Sequence, residues 1–263
     1  MRDDRQRAIF MRFFKTGPGE YGEGDRFLGI MVPSVRRLAK DARDLPLDEI
    51  PQLLTNEWHE VRLCGFLILT YKMERLCRKR VAGTLEAIRE RDAIVRLYLE
   101  YADHANNWDL VDLSAPKIIG PWLLLPSEMD GSKMDDSKMD DSKTDGRQMD
   151  CSKTDGKRAV MDELAASPVL WRQRIAMVST WKTTQQGDPS YALHYAEVLL
   201  HHPHDLMHKA VGWMLREVGK RCGKDLLEDF LEQHAADMPR TALRYAIEKL
   251  PDAERRYWMT RRA

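Results

Sequence analysis

The chain has 263 residues, 43% of them apolar and 32% charged, enough for a substantial core and too apolar overall for a solvated tail. Lys plus Arg and Asp plus Glu number 42 each, so net charge gives no argument for a nucleic-acid partner, and any basic surface must come from local placement. Four cysteines without CxxC spacing, no apolar leader, and apolar stretches too short to span a bilayer read as a reduced, cytoplasmic protein with free thiols and no membrane partner.

The pattern predicts a first helix over Asp4–Lys15, followed by the glycine-rich KTGPGEYGEGD, Lys15 to Asp25. That stretch follows a helix rather than a strand and lacks Gly-Lys-Ser/Thr, so it reads as a structured surface turn and not as a phosphate loop. Helices over Val35–Asp44, Leu47–Thr55, Trp58–Lys79 and Val81–Tyr101 come next. Alternating β-branched runs are nearly absent, which makes the fold class all-α.

The stretch NNWDLVDLSAP, Asn106 to Pro116, opens the next helix. Asn106 or Asn107 supplies the cap, Asp109 suits the positive end of the helix dipole, and Pro116 reads as a helix end. Trp108, Val111 and Leu113 fit ordinary packing. Asp112 does not, because it lies four residues after Trp108 and so shares its face; an acid beside a large aromatic must be solvated, paired or at work.

From Met129 to Arg158 the sequence runs in degenerate pentapeptides, MDGSK MDDSK MDDSK TDGRQ MDCSK TDGKR. Such a stretch cannot bury enough apolar surface to offset its ordering entropy, so a disordered insertion over 127–158 is expected to interrupt a single domain of residues 1–263. Its Asp-x-Ser-Lys units lack the spacing and the glycine of a calcium loop.

Beyond it, helices are predicted over Met161–Ala166, Leu170–Lys182, Pro189–His201, Asp205–Cys222, Asp225–Ala235 and Arg240–Leu250, with a basic tail from Arg255 to Ala263. Arg174-Ile-Ala-Met-Val, Lys209-Ala-Val-Gly-Trp and Arg244-Tyr-Ala-Ile-Glu recur at 35-residue intervals, and Arg62-Leu-Cys-Gly-Phe has the same form. A helical-pair repeat of this length stacks into an α-solenoid and turns equivalent positions to one concave side. His204 and His208 lie four apart, but no further ligand is spaced to complete a zinc set, so no metal is expected. What remains is acid, aromatic and base: Asp112 with Trp108, Trp213 four after Lys209, Lys182 eight after Arg174, and Arg216 with Lys220 extending the stripe. Bases suit phosphates; indoles and a carboxylate suit a cation.

At these residues the sequence resembles the AlkD-like DNA alkylation-repair glycosylases. The resemblance is carried by FKTGPGEYGEGDRFLGIMVP, NNWDLVDLSAPKIIGPWLL, LWRQRIAMVSTW and HDLMHKAVGWMLREVGKR, and covers nearly the whole chain outside the insertion. It implies a right-handed α-solenoid of HEAT-like repeats with a concave DNA-binding face, acting without a cofactor as a monomer on damaged double-stranded DNA. The family's Trp-Asp-x-x-Asp motif places its catalytic aspartate on Asp112 and an aromatic of the site on Trp108; the Gly-Trp string adds Trp213, and the Gln-Arg string adds Arg174. The family's reaction is excision of cationic N3- and N7-alkylated purines, with the lesion left stacked rather than drawn into a deep pocket. Arg174, Lys182, Lys209, Arg216 and Arg244 would hold phosphates, the spacing rather than the resemblance supplying Lys182, Lys209 and Arg244. The rival expectation keeps the fold and drops the enzyme: a HEAT-like module that binds DNA structures or a protein partner.

Overall fold

A computed structural model describes residues 2–130 and 156–261. Among them the regular elements are helices, and the β pairing is a single bridge between Arg26 and Trp58. Short polar side chains open several helices where the sequence provides them. Asp3 accepts from the amides of Arg5 and Gln6 at α1 (Asp4–Phe13), Thr84 from Ala87 at α5 (Leu85–Glu100), and Asn107 from Trp108 at α6 (Trp108–Leu124). Prolines occupy the first turns of α2 (Val32–Asp41) and α3 (Pro51–Leu54), where the missing amide proton would have had no helical partner.

The centre of the N-terminal half is α4 (His59–Leu76). Every residue from Leu63 to Thr70 is buried, so this helix has no solvent face along its middle turns. It packs on α2 to one side and α6 to the other. The row continues through α8 (Leu170–Ser179), α11 (Asp205–Arg221) and α13 (Arg240–Ala246), each in contact with the one before. A second row backs it: α3, α5, α7 (Gly156–Ala166), α10 (Ser190–Val198), α12 (Lys224–His234) and α14 (Asp252–Thr260) each pack on a member of the first. Two stacked rows of antiparallel helices are a helical-repeat solenoid. The 35-residue interval is seen in it directly, because Arg174, Lys209 and Arg244 fall on the successive first-row helices α8, α11 and α13. Gly212 shows how tightly this row is drawn: a Cβ there would stand 2.3 Å from the Ala242 carbonyl oxygen and 2.5 Å from Tyr245 Cβ.

Several boundaries differ from the sequence expectation. Pro116 does not end its helix; α6 runs through it and through Pro121 to Leu124. An internal proline costs on the order of 3 kcal/mol, and α6 offsets this by burying Leu110, Val111, Ala115, Ile118, Ile119 and Trp122 completely. The helix expected over Leu170–Lys182 is divided at Thr180, and a short α9 (Trp181–Gln185) follows. The segment after Arg255 is not a tail, since α14 continues to Thr260 and buries Trp258.

Of the insertion expected over 127–158, residues 127–130 and 156–158 are among those described. Ser127 is buried and Glu128–Asp130 form a 3-10 turn, held by Asp92, which accepts from the Ser127 hydroxyl at 2.6 Å and the Glu128 amide at 2.8 Å. On the other side α7 begins at Gly156, and Lys157 reaches back to the Leu125 carbonyl at 2.7 Å. The remaining pentapeptides, 131–155, lie outside the described residues, as does Cys151. Cys64, Cys77 and Cys222 carry free thiols, and among the described residues no helix is long and apolar enough to cross a membrane.

Candidate active site

The N-terminal turns of α6 present Trp108 and Asp112 one turn apart. Asn107, fully buried, starts the helix and fixes where both point. Phe14 stacks on the Trp108 ring at 28° with centroids 5.4 Å apart, and Phe13 meets the same ring at 73° and 5.9 Å. Asp112 is answered by Arg174 from α8 in a two-pronged pair, Nε to Oδ1 at 2.9 Å and Nη2 to Oδ2 at 2.8 Å. The third donor of Arg174, Nη1, bonds the Leu206 carbonyl at 2.6 Å. Burial pushes the Asp112 carboxyl above its ordinary pKa while Arg174 draws it back, and burial prevails.

Behind this pair lies a buried ionic chain. His59, at the first position of α4, bonds Asp25 through Nδ1 at 2.7 Å and Asp109 through Nε2 at 2.9 Å. Arg62 completes it, donating to Asp25 at 2.6 Å and to the Asn106 side chain at 3.0 Å. Burial alone would discharge the imidazole, but Asp109 and Asp25 overcome it and raise its pKa to about 9. His59 is therefore an imidazolium, clamped between two carboxylates. The next residue, Glu60, accepts from the amides of Leu28, Gly29 and Ile30 at 2.8–3.0 Å. The tight passage requires glycine at position 29, where φ is +83° and a Cβ would sit 2.1 Å from the Asp3 carbonyl oxygen. In this way the glycine-rich stretch is tied to the starts of α4 and α6.

These anchors frame a cavity of about 370 Å³. Phe13, Phe14, Phe27, Trp108, Asp109 and Asp112 are among its lining residues, together with the charged side chains Arg36, His59 and Glu60. Farther along the same helix a wider cleft of about 770 Å³ is bordered by Pro116, Lys117, Pro121, Lys79 and Lys182. Burial first, and then the nearby Arg36 guanidinium, hold the Lys117 ammonium below its ordinary pKa.

A family model described as DNA alkylation repair enzyme matches residues 1–135 and 145–250. The chain belongs to that family. Among curated proteins none matches it in sequence. A solved structure, a predicted DNA alkylation repair enzyme from Enterococcus faecalis, superposes with a TM-score of 0.60 at 14% identity, over 96% of this chain and 98% of that one; it speaks to the fold alone.

Within this DNA alkylation repair family member the expected residues divide into groups. Asp112, Trp108 and Arg174 come together. Arg174, however, is only 5% exposed and spends its donors on Asp112 and Leu206, so it is a partner of the carboxylate rather than a contact for phosphate. Lys209 pairs with Asp205 at 2.8 Å and lies within charge range of Tyr21. Trp213 stands one turn beyond Lys209 on α11, half-buried, and is not in the cavity lining. Lys182 borders the second cleft and bonds Gln185; Arg216 pairs with Glu248; Arg244 is exposed on α13. His204 caps α11 by accepting from the Leu206 amide, and His208 bonds the His202 carbonyl. The sequence reading passed over His59 and Asp25 and gave Arg62 only as a base of the repeat. The available signal was the charged His-Glu-Val-Arg at the head of an otherwise apolar helix.

Proposed function

We propose that this protein hydrolyses the N-glycosidic bond of cationic N3- and N7-alkylated purines in double-stranded DNA. The observation that carries the proposal is Asp112: a carboxylate held two-pronged by Arg174, on the same helical face as Trp108, at the border of an aromatic cavity. An alkylated purine already bears a positive charge and is a good leaving group, so catalysis falls to whatever stabilises the sugar. As the bond breaks, positive charge grows on the sugar, and an anionic carboxylate fixed beside it lowers that barrier. Arg174 leaves both Asp112 oxygens with lone pairs to spare, one of which can orient the attacking water. Arg36, Lys117 and Lys182, which line the two hollows, would neutralise phosphates, as would Lys209 and Arg244. Nothing in this chemistry needs a metal, and a monomer in the cytoplasm or on the nucleoid suffices.

One observation favours a second reading. Both Asp112 oxygens are already taken by Arg174, as they would be if the pair only joined α6 to α8 in a DNA-binding solenoid. The two part on Asp112→Asn. The enzyme reading expects release of 7-methylguanine and 3-methyladenine from methylated duplex DNA to fall by at least about a hundredfold, the order of one lost electrostatic contact. DNA affinity and its salt dependence should persist. Release at the parental rate in Asp112→Asn, or none from the parent protein with salt-sensitive binding intact, would leave the binding module.

A further inference from the structure

Two carboxylates, Asp109 and Asp112, stand three residues apart in the first turns of α6. Residues so spaced are neighbours on a helix, with Cβ atoms about 6 Å apart, and like charges there repel. Asp112 is answered by Arg174. Asp109 is 6% exposed; His59 takes its Oδ2 at 2.9 Å, and its Oδ1 has no hydrogen-bond partner among the described residues. Asp25, on the other side of the imidazolium, has Arg62 as well. Among the described residues, therefore, Asp109 relies on His59 alone for its countercharge. The same ring belongs to the aromatic stack of the site. Phe27 stacks on it with centroids 4.4 Å apart, Phe14 tilts over it at 5.2 Å, and Phe14 in turn stacks on Trp108. Aromatic faces suit a cation that is shut away from water.

We infer that His59 is a positioning residue for Asp112: by neutralising Asp109 it keeps a second negative charge from pressing on Asp112, and so holds that carboxylate in its anionic form. Why the anion matters rests on the glycosylase reading above; the dependence of Asp112 on His59 does not. The other groups around Asp112 do not fill this role. Arg174 of α8 is committed to Asp112 itself and to the Leu206 carbonyl, and Glu60, next to His59, is committed to three backbone amides. Tyr98 of α5 is a phenol that burial keeps neutral, and Arg36 of α2 lines the same cavity but bonds neither carboxylate. Burial pushes the Asp112 pKa up, Arg174 draws it down, and Asp109 adds a further upward push. His59 is what limits that push.

The test is carbon NMR of the full chain labelled at its aspartate carboxyl carbons and titrated from about pH 3 to 8, with the Asp112 signal identified by its loss in Asp112→Asn. Asp109→Asn keeps the shape and removes the charge, so the Asp112 midpoint should fall by about one pH unit, the order set by a like charge some 6 Å away in a partly buried setting. His59→Gln keeps a donor for Asp109 but not the cation, and should raise the midpoint by a similar amount. Both variants break the same contact, so a merely structural role would move the midpoint the same way in both or in neither. In the Asp109→Asn background, His59→Gln should leave the midpoint where it is, since no charge remains to neutralise; this double variant also leaves no buried carboxylate without a countercharge. Midpoints that move together or not at all, or a His59→Gln shift that persists without Asp109, overturn the inference. Base release from methylated duplex DNA separates it from the reading above. If the midpoints split as expected and the parent protein releases nothing, the role of His59 stands and the glycosylase reading falls. If the parent releases alkylpurines and the midpoints do not split, the glycosylase reading survives and the role of His59 falls.

Discussion

Asp112 is held between two opposing pulls, burial favouring its protonated form and Arg174 its anion. The reaction proposed above needs the anion, so activity should rise with pH as Asp112 ionises and then level off. Removing the cation in Arg174→Gln should move that rising limb to higher pH as well as lower the plateau. Single-turnover release profiles of the two proteins would show it, and an unmoved limb would mean that another group carries the charge. His59 makes a different prediction. Its folded pKa of about 9 stands above the ordinary 6.5, so its contribution to stability is complete below pH 6.5 and is lost as pH rises through 9. The span corresponds to roughly 3 kcal/mol, and the thermal midpoint should fall across that window. His59→Gln should be less stable at pH 6 and nearly flat between 6.5 and 9. Of these two groups only Asp112 was legible beforehand, because its helical partner is four residues away. His59 meets Asp25 across 34 residues and Asp109 across 50, and a solitary histidine says nothing of carboxylates so distant.

At the scale of elements, α6 carries the site and also breaks a rule of local sequence. Its two prolines would end an isolated helix; here the burial of its apolar side chains between α4 and α8 keeps it whole. Packing, which no single-segment pattern contains, overrode propensity, and the same blindness hid the break at Thr180 and the helix after Arg255. Periodicity was informative where a helix keeps one apolar face, as in α11. It also located the repeat, although the repeated bases diverge in use: Arg62 and Arg174 turn inward to acids, while Lys209 and Arg244 stay outside. The seam of α11 and α13 is where an element-level change should tell most. Gly212→Val would drive side-chain atoms into the Ala242 carbonyl, and overpacking of this kind costs about 1–3 kcal/mol. Chemical denaturation should show that loss, and a variant as stable as the parent would mean that the two helices slide apart freely.

On the scale of the whole molecule, the solenoid lines up its first-row helices so that a site on α6 draws partners from α1, α4 and α8, none of them its neighbour in sequence. The described residues on either side of 131–155 are held to the array, Ser127 and Glu128 by Asp92 and Lys157 by the Leu125 carbonyl. The fastening lies at the far end of α6, about 18 Å along the axis from Asp112 at 1.5 Å per residue. Replacing residues 131–155 with a short Gly-Ser linker should therefore leave the melting temperature within a few degrees and base release unchanged. A large loss of either would show that the pentapeptides contribute to the array or to the groove.

Those fastened ends bear on how such a sequence changes over generations. When a chain segment is closed at fixed points, the closure entropy grows only with the logarithm of its length, and doubling it costs about 0.6 kcal/mol. If the linker replacement leaves folding intact, a copying error that adds or removes whole five-residue units between Asp130 and Gly156 meets almost no selection through folding, whereas one residue added between Trp108 and Asp112 would rotate the two side chains apart by about 100°. Near-identical pentapeptides are expected to accumulate at the first place and to be purged from the second.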